Sequence, residues 1–178
     1  MTPNYLCALP AVLYLAMGAS YRRRRLFTFL HPFDDPLGDG FQIIQSLIAV
    51  GTGGFLGRGY MEGIQKLFYL PEPHTDYIFA NIAEEWGLIG TILVVGLFVT
   101  IGYRGMRAAF LSKDPFARFL AFGITATLLI QAFFNISVVL ALVPTKGITL
   151  PLVSYGGTSL FIVLASLGVL LNITREVD

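Results

Sequence analysis

The sequence predicts an all-α, polytopic transmembrane helix bundle, and three observations carry that prediction. Of the 178 residues, 55% are hydrophobic and only 13% are charged, where a soluble domain carries about a quarter. Mean hydropathy is +0.71. Long apolar runs recur, each near or above the roughly 20 helical residues that cross about 30 Å of hydrocarbon. The net charge of +1 gives no global basic field, so nucleic acid is not an expected partner. Cys7 is the single cysteine, which excludes a disulfide framework and a cysteine metal site within one chain. His31 and His74 have no partner at metal-ligand spacing, so no protein-bound zinc is expected.

The elements follow in order. Residues 5–21 form a short apolar run around Pro10, with Tyr5 and Tyr21 where interfacial aromatics belong. Its basic residues, Arg22 to Arg25, come after it, the reverse of a secretory signal. Residues 22–76 read as a long external loop. Inside it, Phe41 to Leu56 is amphipathic, carries Gln42 and Gln45, and ends in a glycine-rich stretch. That pattern suits an interfacial or re-entrant helix better than a span. Residues 77–103, 117–143 and 154–173 are the remaining spans, about four in all with 5–21. Arg104, Arg107 and Lys113 make the 104–116 connection basic, and the positive-inside rule puts it in the cytoplasm with the tail 174–178. The 144–153 connection is then external. Arg22 to Arg25 obey the rule only if 41–56 also crosses; Asp76 is external either way.

Two polar islands stand out between the apolar runs. The first is Tyr69-Leu-Pro-Glu-Pro-His-Thr-Asp76. Pro71 and Pro73 disfavour helix at Leu70 and Glu72, so a helix can start near Tyr77 with Thr75 or Asp76 as its cap. Asp76 is also a carboxylate at a membrane lip, suited to acid–base chemistry; the two roles are compatible. Glu84 and Glu85 lie about two turns further on, as oriented interfacial carboxylates or as direct participants. The second island is Pro144-Thr-Lys-Gly-Ile-Thr-Leu-Pro-Leu-Val-Ser-Tyr-Gly-Gly157. Lys146 is its only cation, and Gly156 and Gly157 open the last span, where free N–H groups can hold an anion or simply allow close helix contact. Gln131 and Asn135 share a face of one span and read as interhelical hydrogen-bonding groups. The Gly51 to Gly54 stretch lacks the strand and lysine of a phosphate loop.

Several of these motifs resemble one family. Phe41-Gln-Ile-Ile-Gln-Ser-Leu-Ile-Ala-Val50, Gly53-Gly, Leu70-Pro-Glu-Pro-His-Thr-Asp-Tyr-Ile-Phe79, Glu84-Glu85 and Leu150-Pro-Leu-Val-Ser-Tyr-Gly-Gly157 are similar to the SEDS proteins (shape, elongation, division, sporulation). Pro144-Thr-Lys-Gly147 and Phe68-Tyr-Leu-Pro-Glu72 look more like the division branch than the elongation branch. The resemblance implies a peptidoglycan glycosyltransferase that polymerises lipid II at the outer face of the bacterial cytoplasmic membrane. It implies Asp76 as general base, and it implies partners: a class B penicillin-binding protein transpeptidase and other divisome membrane proteins. His74, Glu84, Lys146, Ser154, Gly156, Gly157, Arg22 and Arg23 form the expected substrate-binding set. No cofactor is required by the motifs, though a pyrophosphate leaving group needs cations from Arg, Lys or a divalent metal. Family members have ten spans, so the chain is expected to hold the last four of a longer protein. Tyr77 stands where the family often has Phe. A lipid II flippase and a non-catalytic divisome scaffold are the alternatives.

Overall fold

A computed structural model describes residues 27–34, 36, 40–59, 76–144 and 147–177. The expected span 5–21, most of the first polar island and Lys146 lie outside the described residues. Among the described residues four long helical elements follow one another: α1 (Phe41–Gly53), α2 (Ile78–Leu111), α3 (Pro115–Val139) and α4 (Gly157–Val177). The last three are long and apolar enough to cross a membrane. With 13 residues, α1 is about 20 Å long, short of the roughly 30 Å hydrocarbon core. Side chains such as Ile92, Val99, Phe119, Phe133, Phe161 and Leu171 are exposed on the long helices, as lipid-facing residues are.

The hairpin between α2 and α3 is written into a few residues. Ser112 N–H donates to the Ala108 carbonyl at 3.0 Å and ends α2. Asp114 then caps α3, accepting from Phe116 N–H at 3.4 Å and Ala117 N–H at 3.0 Å, with Pro115 in the first turn. Arg118 reaches back to the Ser112 carbonyl at 3.0 Å. Helix α2 therefore continues through Arg104 and Arg107 to Leu111, and the connection is only Ser112 to Asp114. These arginines, expected in a loop, sit on the last turns of a helix.

Small residues let α2 and α3 approach closely. A side chain at Gly105 would strike Thr125, and one at Gly102 would come within 2.9 Å of Leu129 Cδ1. Below them Ala108, Ala109 and Ala121 pack with Leu170 and Ile173 of α4. At the opposite end Ala49 of α1 joins Tyr77, Phe79, Ala80, Val139 and Leu150 in a second cluster.

One helix departs from the expected span. Gly87 interrupts α2 with φ 61° and ψ −151°, a conformation open essentially to glycine. The break frees backbone groups, and residues 54–59 take them up. Arg58 N–H donates to the Glu84 carbonyl at 3.0 Å, Gly59 N–H to the Glu85 carbonyl at 3.2 Å, and Leu88 N–H to the Gly54 carbonyl at 2.9 Å. Broken helices persist at membrane depth only when such partners exist. The glycine-rich end of the 41–56 segment is therefore the part that completes a broken helix. Gly53 and Gly57 have no room for a Cβ against the Ala83 and Glu85 carbonyls.

Candidate functional site

The antiparallel hairpin puts the start of α2, the end of α3 and the start of α4 at one end of the bundle. Arg104, Arg107, Lys113, Arg118 and Arg175 lie at the other. Asp76, the described end of the first polar island, therefore meets the second island, and the contact is direct. The Asn135 side chain on α3 donates through Nδ2 to the Asp76 carbonyl at 2.9 Å and to the Ile148 carbonyl at 2.7 Å. A Cβ added to Gly147 would stand 3.2 Å from Asp76 Oδ2. The carboxylate of the first island thus lies against the backbone of the second.

Asp76 immediately precedes the cap position of α2. The cap position is Tyr77, whose carbonyl accepts from Ala80 and Asn81 N–H at 3.0 and 3.3 Å, and no side-chain capping bond forms there among the described residues. Tyr77 is 4% exposed and buried in the cluster with Phe79, Ala80 and Leu150. That burial anchors the start of the helix. Asp76, half-buried, precedes the helix. Thr75, the other cap candidate, lies outside the described residues.

The second island is shaped by two residues in the left-handed region. Ala141 has φ 52° and ends α3 in a Schellman motif. Its N–H donates to the Val138 carbonyl at 3.0 Å, and Leu142 N–H donates to the Ser137 carbonyl at 2.8 Å. Leu152 has φ 67°. It follows Pro151 in a turn where Val153 N–H reaches the Leu150 carbonyl at 3.3 Å, the layout of a type II turn. Glycine usually fills that third position, and here a leucine does. Ser154 closes the loop: its N–H donates to the Leu150 carbonyl at 2.9 Å and its Oγ accepts from Leu150 N–H at 2.7 Å.

The expected substrate-binding residues separate under this geometry. Ser154 is buried and braces the turn through its hydroxyl oxygen. Gly156 and Gly157 open α4, and a Cβ at Gly157 would meet nothing within 4 Å among the described residues, so this glycine faces open space. Glu84 is 1% exposed, two turns down α2, with Oε1 3.9 Å from Arg58 Nη1. Its carbonyl accepts from Arg58 N–H beside the Gly87 break. His74, Lys146, Arg22 and Arg23 lie outside the described residues, although Lys146 immediately precedes Gly147 in the chain. Among the described residues no three His, Cys, Asp or Glu side chains gather as a metal group.

A cleft of about 420 Å³ opens beside the site, lined by Ile78, Leu152, Val153, Ser154, Tyr155 and Leu160. Its lining is mostly apolar. It offers an oily wall within two residues of a carboxylate.

Asn135 is the site residue that sequence reasoning leaves as a generic interhelical donor. Its neighbour Gln131 is exposed, in a separate groove with Thr127 and Ser166.

The FTSW_RODA_SPOVE family model, described as a cell cycle protein, matches residues 2–178. The chain is 52% identical over 168 residues to a probable peptidoglycan glycosyltransferase FtsW of Geobacter metallireducens, covering 94% of the chain and 45% of that relative. It is 51% identical over 161 residues to stage V sporulation protein E of Bacillus subtilis, covering 90% of the chain and 44% of that relative. Among solved structures, a chain from work on the structural coordination of polymerization and crosslinking by a peptidoglycan synthase complex matches with a TM-score of 0.72. That match has 31% identity and covers 96% of this chain and 47% of the other. The chain spans a little under half the length of the relatives it matches.

Proposed function

The chain belongs to the FtsW, RodA and SpoVE family of multi-pass membrane proteins, and from that premise we propose that it forms the catalytic half of a peptidoglycan glycosyltransferase acting in cell division. The observation that carries this reading is the Asp76 carboxylate seated against Gly147 of the second polar island. The substrate is lipid II, a disaccharide peptide on undecaprenyl pyrophosphate. The GlcNAc 4-hydroxyl attacks the anomeric carbon of the lipid-linked MurNAc. A C–O bond forms, the bond from that carbon to the pyrophosphate oxygen breaks, and Asp76 takes the hydroxyl proton. Undecaprenyl pyrophosphate leaves with the bonding pair.

Each neighbouring part has a use in that step. The apolar cleft at Ile78, Leu152 and Leu160 suits the polyprenyl chain. Lys146, Arg22 and Arg23 supply positive charge for the leaving pyrophosphate. The α4 start at Gly156 and Gly157 offers backbone N–H groups to the same anion, and His74 lies two residues before the base in the chain. With the five cations of the opposite end in the cytoplasm, Asp76 faces outward, where cross-linking of the product also occurs. A class B penicillin-binding protein transpeptidase is the partner this reading requires. A transport role draws less support: the middles of α2, α3 and α4 carry no charged side chain to handle a pyrophosphate.

The test is lipid II polymerisation by the full-length protein with its transpeptidase. Asp76→Asn keeps the side-chain size and removes the base. Glycan product should be lost while the amount of folded protein in the membrane is unchanged. Polymerisation at the unaltered rate would remove Asp76 from the mechanism.

A further inference from the structure

The Asp76 carbonyl lies outside the hydrogen-bond ladder of α2, because the first helical acceptor is Tyr77. It accepts instead from Asn135, 59 residues away in sequence. The same nitrogen holds the Ile148 carbonyl, 13 residues away. Asn135 is 1% exposed. Both partners are carbonyl oxygens, which only accept, so the orientation of the amide is fixed: a flipped side chain would set its oxygen against two acceptors. Its own Oδ1 is buried and accepts no hydrogen bond among the described residues. A buried acceptor left unmatched is unfavourable, yet this arrangement is kept and both loops stay tied.

We propose that Asn135 is a positioning residue for the transfer reaction, clamping the Asp76 peptide to the 147–148 backbone so that the Asp76 carboxylate keeps its place beside Gly147. The proposal rests on Asp76 being the general base. A base must stay within hydrogen-bond reach of the hydroxyl it serves, and Asp76 sits on a turn just ahead of a helix. One amide removes that freedom from two loops together. Displacement of the loops by about 1 Å lowers turnover by about 100-fold without removing any group that touches substrate.

Two substitutions test this in the full-length protein with its transpeptidase. Asn135→Ala removes both donors and leaves room for water. Asn135→Asp keeps the shape but turns a carboxylate toward two carbonyls. Two readouts are needed: steady-state polymerisation of labelled lipid II, and amide hydrogen exchange of the segments 76–82 and 147–152. The expected result is a fall in kcat of about 100-fold with KM nearly unchanged. Exchange should rise in both segments together and stay unchanged in α4 and in the α2–α3 hairpin. Should Asn135→Asp fail to fold, Asn135→Ala alone decides. Retention of kcat by Asn135→Ala overturns the proposal, and so does faster exchange spread through the whole bundle, which marks a merely structural residue. Asp76→Asn separates the two readings: loss of activity there with retention in Asn135→Ala sinks only the clamp, whereas retention in Asp76→Asn sinks the base.

Discussion

Gly147 lies against the carboxylate of Asp76, close enough that a Cβ on it would stand 3.2 Å from Oδ2. That distance is tight for a methyl group, so the carboxylate or the loop would shift by a few tenths of an ångström. The φ of Gly147 is not in the left-handed region, so alanine fits the backbone. Gly147→Ala should therefore leave stability almost unchanged and lower lipid II polymerisation by about 10-fold, in line with the sensitivity of catalysis to small displacements. Turnover and the thermal midpoint, measured side by side, check this; a fall in the midpoint with turnover intact would contradict it.

Gly87 presents the opposite case. Its φ of 61° and ψ of −151° exclude alanine on backbone grounds, at about 1–3 kcal/mol. A Cβ there would also strike Gly57 N and approach the Gly54 carbonyl at 2.9 Å. Gly87→Ala should unseat residues 54–59 and cost at least about 3 kcal/mol in total. The expected outcome is a sharply reduced yield of folded protein in the membrane. Gly96→Ala is the control, since a Cβ there meets nothing within 4 Å among the described residues.

That contrast also marks what the sequence makes legible. The long helices are legible because apolar length is a one-dimensional property. Asp76 stands out as a candidate because a carboxylate at the lip of an apolar run is rare and two prolines precede it. The Gly87 break is not, since Gly87, Gly90, Gly96, Gly102 and Gly105 look alike in an apolar run. Only the docking of 54–59 selects Gly87 for a non-helical backbone. Asn135 is hidden for a related reason: its partners are backbone carbonyls, which carry no residue identity. The helix start is only partly legible: the cap position falls on the buried Tyr77, one residue beyond Asp76.

Glu84 and Arg58 differ in burial, 1% against 37% exposure, across a 3.9 Å separation. The two ends of the pair should respond unequally. Arg58→Ala removes a half-exposed partner at the edge of ion-pair distance and should cost no more than about 1 kcal/mol. Glu84→Ala empties a buried site packed beneath the Gly53 turn and should cost about 2–4 kcal/mol. A double-mutant cycle on thermal stability should show weak coupling, and strong coupling would mean that the pair carries the Gly87 break.

Ala141 gives the last prediction, in the direction of greater stability. It occupies the left-handed position of the Schellman motif that ends α3, with φ 52°, where glycine is the usual residue. A Cβ in that region is strained by about 1–2 kcal/mol. Glycine relieves the strain but loses more backbone entropy on folding, about 0.5–1 kcal/mol. The balance favours Ala141→Gly by roughly 0.5–1 kcal/mol. The substitution alters no group at the Asp76 carboxylate, so polymerisation should hold while the thermal midpoint rises by a few degrees. A lower midpoint would mean that the loop leading into the second island draws on the stiffness of Ala141, and that the strain is repaid by holding Gly147 and Ile148 in place.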